Sequence, residues 1–382
     1  MDQNQNTNTP SMRGDNFLDK AKAFFARHNT KPPAKRLAIV VGISLAVLIG
    51  GSAASFAFIK DTSEVVPAII PEKKPEPPKK TYSPLTGIET SEENANRRVT
   101  GVMIENSIDA RPQAGLDEAG VVFEAIAEGG ITRFLALFQE ARPGKIGPIR
   151  SARPYYVRWA KGFDAGYAHS GGSGEALALI PALGVKDLDH GKNSSYFDRV
   201  SNRFAPHNVY TSMDRLDQYA TAQGYGGSEF KPFERISADE KVKKNETASA
   251  NEKANAISFD ISSARYNTSY SYDAAAKAYN RVMSGQPHVD EATGKQITPE
   301  VVVALYTDYS INPNGIHSVY RVTGTGEADV FQNGEMIKAM WRKTDDAASL
   351  EFLTADGQKP LPLVRGQTWI TALPKGRVSY SP

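Results

Sequence analysis

Leu37 to Ile59, LAIVVGISLAVLIGGSAASFAFI, is the tightest constraint in this sequence: 23 consecutive residues without a charged side chain. As a helix it is roughly 34 Å long at 1.5 Å per residue, enough to cross a bilayer with some tilt. Residues 1–36 carry seven Lys/Arg against three acids, and Lys31, Lys35 and Arg36 sit beside the span. The positive-inside rule then predicts a cytoplasmic tail over 1–36, a transmembrane helix over 37–59 and an extracytoplasmic remainder. A cleaved signal peptide is the competing reading, and the long polar lead and the length of the apolar run argue against it. The expectation is a single-pass signal-anchor in the cell membrane.

Residues 60–83 read as a Pro/Lys/Glu-rich spacer. Five prolines fall between Thr62 and Ser83, which favours extended polyproline II over a packed domain. Farther on, Asp239 to Ala256 (DEKVKKNETASANEKANA) holds one large apolar residue and no aromatic. Such a segment reads as a solvated linker, 237–256, between domains at 84–236 and 257–382. In the first, 99–105, 121–128, 131–139 and 164–169 look like strands, with Gly129-Gly130 turning a hairpin. Helical periodicity follows Gly174 and recurs over 212–223, where Ser212 is a candidate N-cap and Gly224 a stop. The second is a series of short β-branched or aromatic runs from ISFDIS to QTWITAL, with a hairpin at Asn333-Gly334. The fold class expected is a mixed-sheet α/β ectodomain followed by a β-rich sandwich or barrel-like domain.

Lys+Arg 45 against Asp+Glu 43 gives +2, so the chain has no basic footprint for nucleic acid. Zero cysteines exclude disulfides, thiol catalysis, a cysteine zinc site and a lipidated-cysteine anchor. His169, His190 and His207 lack metal-ligand spacing, and neither a metal nor a cofactor is expected.

The cations are divided by type. Residues 84–236 contain 12 Arg and 5 Lys, and 237–382 contain 6 Arg and 10 Lys. Arginine is the side chain suited to bidentate recognition of carboxylate or phosphate. Ala141 to Phe163 carries Arg142, Lys145, Arg150, Arg153, Arg158 and Lys161 with no acid. Arg142, Lys145, Arg158 and Lys161 read as solvated cations with distant ion-pair partners. Arg133, Arg150 and Arg153, set among apolar residues, are candidates for holding an anion. Polar residues also end the predicted strands: Glu105 and Asn106, Glu128, His169, and His207 with Asn208 before the second helix. Sites on α/β folds gather at such strand ends. Glu128 and His169 are the candidate acid/base groups, against a structural Glu–Arg pair and a core histidine. Gly171, Gly172 and Ser173, between strand and helix, present candidate backbone N–H groups to an anion. Ala168-His169-Ser170-Gly171-Gly172 only loosely echoes a nucleophile elbow.

Several long motifs resemble one family. NRRVTGVMIENSIDARPQAGLDEAGVVFEAIAEGGITRFLALF, KIGPIRSARPYYVRWA, YAHSGGSGEAL and APHNVYTS are similar to the YerB family of bacterial lipoproteins. YNRVMSGQPHVDEATGKQI, GTGEADVFQNGEMIKAMWRK and RGQTWITALP extend the likeness through residue 382. The resemblance implies two adjoining domains of unknown function on the outer face of the cell membrane, and no established reaction. YerB-type proteins are tethered by a lipidated cysteine, which this sequence lacks, so the apolar span is expected to take that part. The family often has Ala where this chain has Ser170. A looser likeness in layout, KIGPIRSARPYYV included, is to the LytR-CpsA-Psr phosphotransferases, whose arginines hold a polyprenyl pyrophosphate; no residue role carries over.

Three functional expectations follow. The first is an envelope protein binding an anionic wall or lipid-linked component through Arg133, Arg150 and Arg153. The second is an envelope enzyme, a phosphotransferase or wall hydrolase, using the same arginines with Glu128 or His169. The third is a structural adaptor that contacts other envelope proteins through residues 257–382.

Overall fold

Near-continuous apolar runs in 100–138 build the centre of a large sheet. β1 (Thr100–Glu105), β2 (Val121–Glu128) and β3 (Ile131–Phe138) are almost wholly buried, as strands covered on both faces must be. β3 lies between β1 and β2, antiparallel to each. Gly129 and Gly130 at φ +55° and +78° supply the left-handed pair that a tight two-residue hairpin requires. The computed structural model describes residues 80–240, 251–313 and 315–382, all within one compact unit. The expected tail, membrane span and most of the spacer lie outside the described residues. Among those described, no helix is long and apolar enough to cross a membrane.

On its other edge β1 continues parallel to β4 (Gly166–His169), which pairs in parallel with β5 (Lys186–Asp189). The crossover from β4 to β5 is α2 (Gly174–Ala182), capped by Ser173. Before it, α1 (Pro154–Lys161) stacks Trp159 on Phe123 of β2, ring centroids 4.8 Å apart and ring planes nearly parallel. α3 (Met213–Ala222) starts at Ser212, whose hydroxyl accepts from Arg215 N. α1 has Pro at its first position, where the missing N–H costs nothing.

The strands of 257–382 do not close on themselves. β6 (Ala256–Phe259), β7 (Thr268–Asp273) and β8 (Ala278–Met283) form a five-stranded sheet with β14 (Val378–Ser381) and the short strand Gln286–Pro287. β9 (Val301–Tyr306), β10 (Gly324–Gln332), β11 (Glu335–Lys343), β12 (Glu351–Thr354) and β13 (Thr368–Leu373) instead prolong the sheet of the first half. The result is one 11-stranded sheet in the order β12-β11-β10-β9-β13-β2-β3-β1-β4-β5, with Glu252–Lys253 added beside β11. This corrects the expectation of a free-standing sandwich or barrel. The seam is β13, parallel to β2 through Val122↔Trp369 and Glu124↔Thr371 and parallel to β9 on its other side. The apolar core runs unbroken across that seam, from Phe123 and Leu135 to Trp369 and Val302.

Candidate functional site

Beyond Val102 the sheet splits. β4 pairs with β1 only as far as Val102↔Ala168. From there the segment 146–152 takes its place: Arg150 N donates to Met103 O, and Glu105 N to Pro148 O. The same segment bonds the chain leaving β4, with Ser170 N donating to Arg150 O and Ala152 N to Gly171 O. Arg150 is thereby wedged between the end of β1 and the turn into α2. Residues 190–208 pass over the same end of the sheet, bringing His190, Arg199, His207 and Asn208 to it.

The predicted residues fall into separate groups. In the first, Glu128 receives Arg133 Nη2 at 2.8 Å and Arg153 Nε at 3.0 Å, with Arg153 Nη2 also on its second oxygen. Arg133 Nη1 donates onward to Ser151 O and Arg153 Nη1 to Ala152 O. Burial opposes charge on Glu128, but Arg133 and Arg153 outweigh it and hold the carboxyl below its ordinary range. A carboxylate held ionised between two guanidiniums is a poor proton donor or acceptor near neutrality. Both arginines are buried and clamp the start of α1 to the sheet.

His169 forms the second group. It is fully buried, with Nδ1 2.8 Å from Gly171 O and Nε2 3.0 Å from Asp187 Oδ1. Burial would raise the Asp187 carboxyl, yet hydrogen bonds from His169 and Lys192 hold it down. Both ring nitrogens are engaged, so His169 ties β4 to β5 and to the turn that follows.

Glu105, Arg150 and His207 make the third group, together with Ser107. Arg150 Nε lies 3.2 Å from Glu105 Oε1, and His207 Nδ1 lies 3.0 Å from Oε2. Ser107 Oγ donates to Oε1 and is 3.3 Å from the same His207 nitrogen. A relay would need the serine and the carboxylate on opposite ring nitrogens, and here both face Nδ1. Arg150 is a quarter exposed, and Nη1 and Nη2 have no partner among the described residues. Asn208 is set beside this group, receiving Arg199 Nη1 at 2.8 Å. Gly171, Gly172 and Ser173 are adjacent through the backbone bonds to 150–152, but Gly171 N donates to Asp189 Oδ1 and Ser173 N to Ala152 O.

Asn106 belongs to a fourth group that faces inward. Its Nδ2 donates to Thr132 Oγ1 and its Oδ1 accepts from Gln113 Nε2. Gln113 Oε1 meets His288 Nε2, Arg281 Nε donates to His288 Nδ1, and Arg281 Nη2 donates to Glu124 Oε2. Thr132 Oγ1 donates to Glu124 Oε1 and closes the ring. All six side chains are buried. Burial first, then the charges of Arg281 and Arg111, push His288 well down; the neutral ring accepts at Nδ1 and donates at Nε2. Sequence reasoning missed Gln113, Glu124, Arg281 and His288, whose only signal was polarity inside apolar runs.

It also passed over His190, whose Nδ1 is 3.3 Å from Ser170 Oγ; burial and Arg199 lower its pKa. Arg142, Lys145 and Arg158 pair with Asp217, Glu291 and Asp346. Among the described residues no cluster of three His, Asp or Glu is placed to hold a metal ion.

Fold and site define a mixed α/β protein in which two sequence segments share one sheet, with a polar cluster where that sheet splits. Residues 85–226 match the family model described as "Protein of unknown function (DUF3048) N-terminal domain", and 257–370 match the corresponding C-terminal domain. The chain is 33% identical over 305 residues to the Bacillus subtilis (strain 168) protein named "Putative lipoprotein YerB", covering 78% of this chain and 88% of that one. It is also similar to the crystal structure of YerB from Bacillus subtilis, with TM-score 0.70, 31% identity, and coverage of 79% of this chain and 100% of that one. The chain belongs to the YerB family.

Proposed function

We propose that this is a membrane-associated, extracytoplasmic envelope protein that binds an anionic wall or lipid-linked component at Arg150. The observation that carries the reading is the contrast among the three arginines. Arg133 and Arg153 are buried against Glu128, whereas Arg150, a quarter exposed, lies 3.2 Å from Glu105 through Nε and its Nη1 and Nη2 have no hydrogen-bond partner among the described residues. A guanidinium with two free parallel donors fits a phosphate or carboxylate. His207 shares the Glu105 carboxylate with Arg150. The membrane-associated setting is supported by the relative named as a lipoprotein and by the 23-residue apolar run. Binding is favoured over turnover because neither Glu128 nor His169 is free to move a proton.

The test is a thermal-shift comparison on the full chain with inorganic pyrophosphate as probe. A ligand that binds only the folded form raises Tm. Wild type is expected to shift upward and Arg150→Ala to lose the shift while keeping its own Tm. An equal shift in both proteins rejects Arg150 as the site.

A further inference from the structure

Phe204 is 91% exposed, the most exposed of the large apolar side chains among the described residues, and it lies three residues before His207, which bonds Glu105. That segment is firmly held. Arg203 Nη1 and Nη2 donate to Asp109 O and Pro112 O, each at 2.8 Å, and His207 N donates to Phe204 O at 2.9 Å. The loop therefore presents the ring to solvent by construction. Ile108, 50% exposed, lies on the very segment that Arg203 clamps. Single exposed apolar residues are ordinary on protein surfaces. Two on segments bonded together, and linked through His207 and Glu105 to a part-exposed guanidinium, are a different matter. A chain of contacts links the two: Arg150 to Glu105 at 3.2 Å, Glu105 to His207 at 3.0 Å, and His207 N to the backbone carbonyl of Phe204. Residues 190–208 add Lys192, Arg199 and Arg203 against Asp198, although Lys192 is paired with Asp187 and Arg203 lies 3.7 Å from Glu291.

We propose that the Arg150 cluster takes an amphiphilic anion, with a phosphate headgroup on Arg150 and an apolar tail laid over Phe204 and Ile108. The proposal rests on the reading of Arg150 as an anion site and adds the ligand class. A purely polar anion leaves Phe204 and Ile108 in water, and a neutral lipid leaves Arg150 Nη1 and Nη2 without an acceptor. A headgroup joined to a tail satisfies both. A free lipid-linked phosphate and a phospholipid of the outer leaflet share this chemistry.

The experiment titrates ethyl, butyl and hexyl phosphate into the full chain held in phosphatidylcholine nanodiscs, with empty nanodiscs subtracted. Affinity should rise about tenfold or more from ethyl to hexyl phosphate as methylenes leave water. Phe204→Ser should flatten that rise and leave ethyl phosphate affinity intact; Arg150→Ala should weaken all three. Equal affinity along the series, still lost in Arg150→Ala, overturns the amphiphile and spares the anion site. Binding indifferent to Arg150→Ala overturns both readings. Replacing part of the nanodisc lipid with phosphatidylglycerol distinguishes the sources: weaker apparent hexyl phosphate binding assigns the site to bilayer headgroups, and unchanged binding to a free lipid-linked molecule.

Discussion

Arg281 and Glu124 form an ion pair with no exposed side-chain surface on either partner, 2.9 Å apart. Trp369 stacks beneath the guanidinium at 4.1 Å and donates its Nε1–H to the same carboxylate oxygen. A pair buried so completely is costly to break from one side, because the remaining charge has neither water nor partner. Arg281→Met is expected to lower unfolding stability by about 3–5 kcal/mol, read from denaturant midpoints, and adding Glu124→Gln should recover part of it. A loss under about 1 kcal/mol would mean that Glu124 is solvated. The next member of the ring, His288, has a folded pKa well below its ordinary value. The unfolded chain therefore takes up its proton first, and stability falls as pH drops below about 6.5. The slope from this one residue approaches about 1.4 kcal/mol per pH unit until the lower folded value is reached. Glu128, also depressed, loses its contribution only at lower pH, as the medium passes from the ordinary glutamate range through its folded value. In His288→Gln the loss between pH 6.5 and 5 should shrink, as measured by urea denaturation at each pH; an unchanged slope would place its origin elsewhere.

The two hairpin turns give a test at the level of elements. Gly129 stands at φ +55° with open space where a Cβ would go, whereas Gly334, at φ +68°, would drive a Cβ to 2.8 Å from Tyr272 Cδ1. Gly129→Ala should cost about 1–2 kcal/mol for the left-handed backbone alone, and Gly334→Ala distinctly more, in thermal unfolding. Equal costs would show that the β10–β11 turn shifts freely. Both turns were legible in the sequence because Gly-Gly and Asn-Gly carry their geometry locally. So was Ser212, which caps α3. α1 was not: Tyr155, Tyr156, Val157, Trp159 and Ala160 are all buried, and its polar face is only Arg158 and Lys161, whose charge drew attention instead of their spacing. β5 reads KDLD and is a strand only because β4 recruits it at the sheet edge. The strand-end polar residues were legible as residues, but they fall into separate groups rather than one site. Which arginine stays open depends on Glu128 and Glu105 being brought to it from other strands, and local sequence does not record such pairings.

For the whole molecule, the shared sheet makes a prediction that two independent domains would not. β2 has β13 as its outer neighbour, and the buried hydrogen-bonded ring joins Asn106, Gln113, Glu124 and Thr132 to Arg281 and His288. Residues 80–240 expressed alone should lack a cooperative thermal transition, because removing 251–382 bares the β2 edge and leaves Glu124 unpaired. Mixing the two pieces should restore the transition, followed by circular dichroism; a sharp melt for 80–240 alone would contradict the single-sheet account. The same joint holds β1 in place, and β1 carries Glu105, so the geometry at Arg150 depends on both halves of the chain.

The central claim is that Arg150, and neither Arg133 nor Arg153, is the arginine that meets an anion. Calorimetric titration of the full chain with inorganic pyrophosphate, wild type beside Arg150→Ala at equal measured stability, tests it most directly. Saturable binding in wild type with at least about a tenfold loss in the variant is predicted, as expected for removing a charge-assisted contact. Indistinguishable isotherms for the two proteins would contradict it.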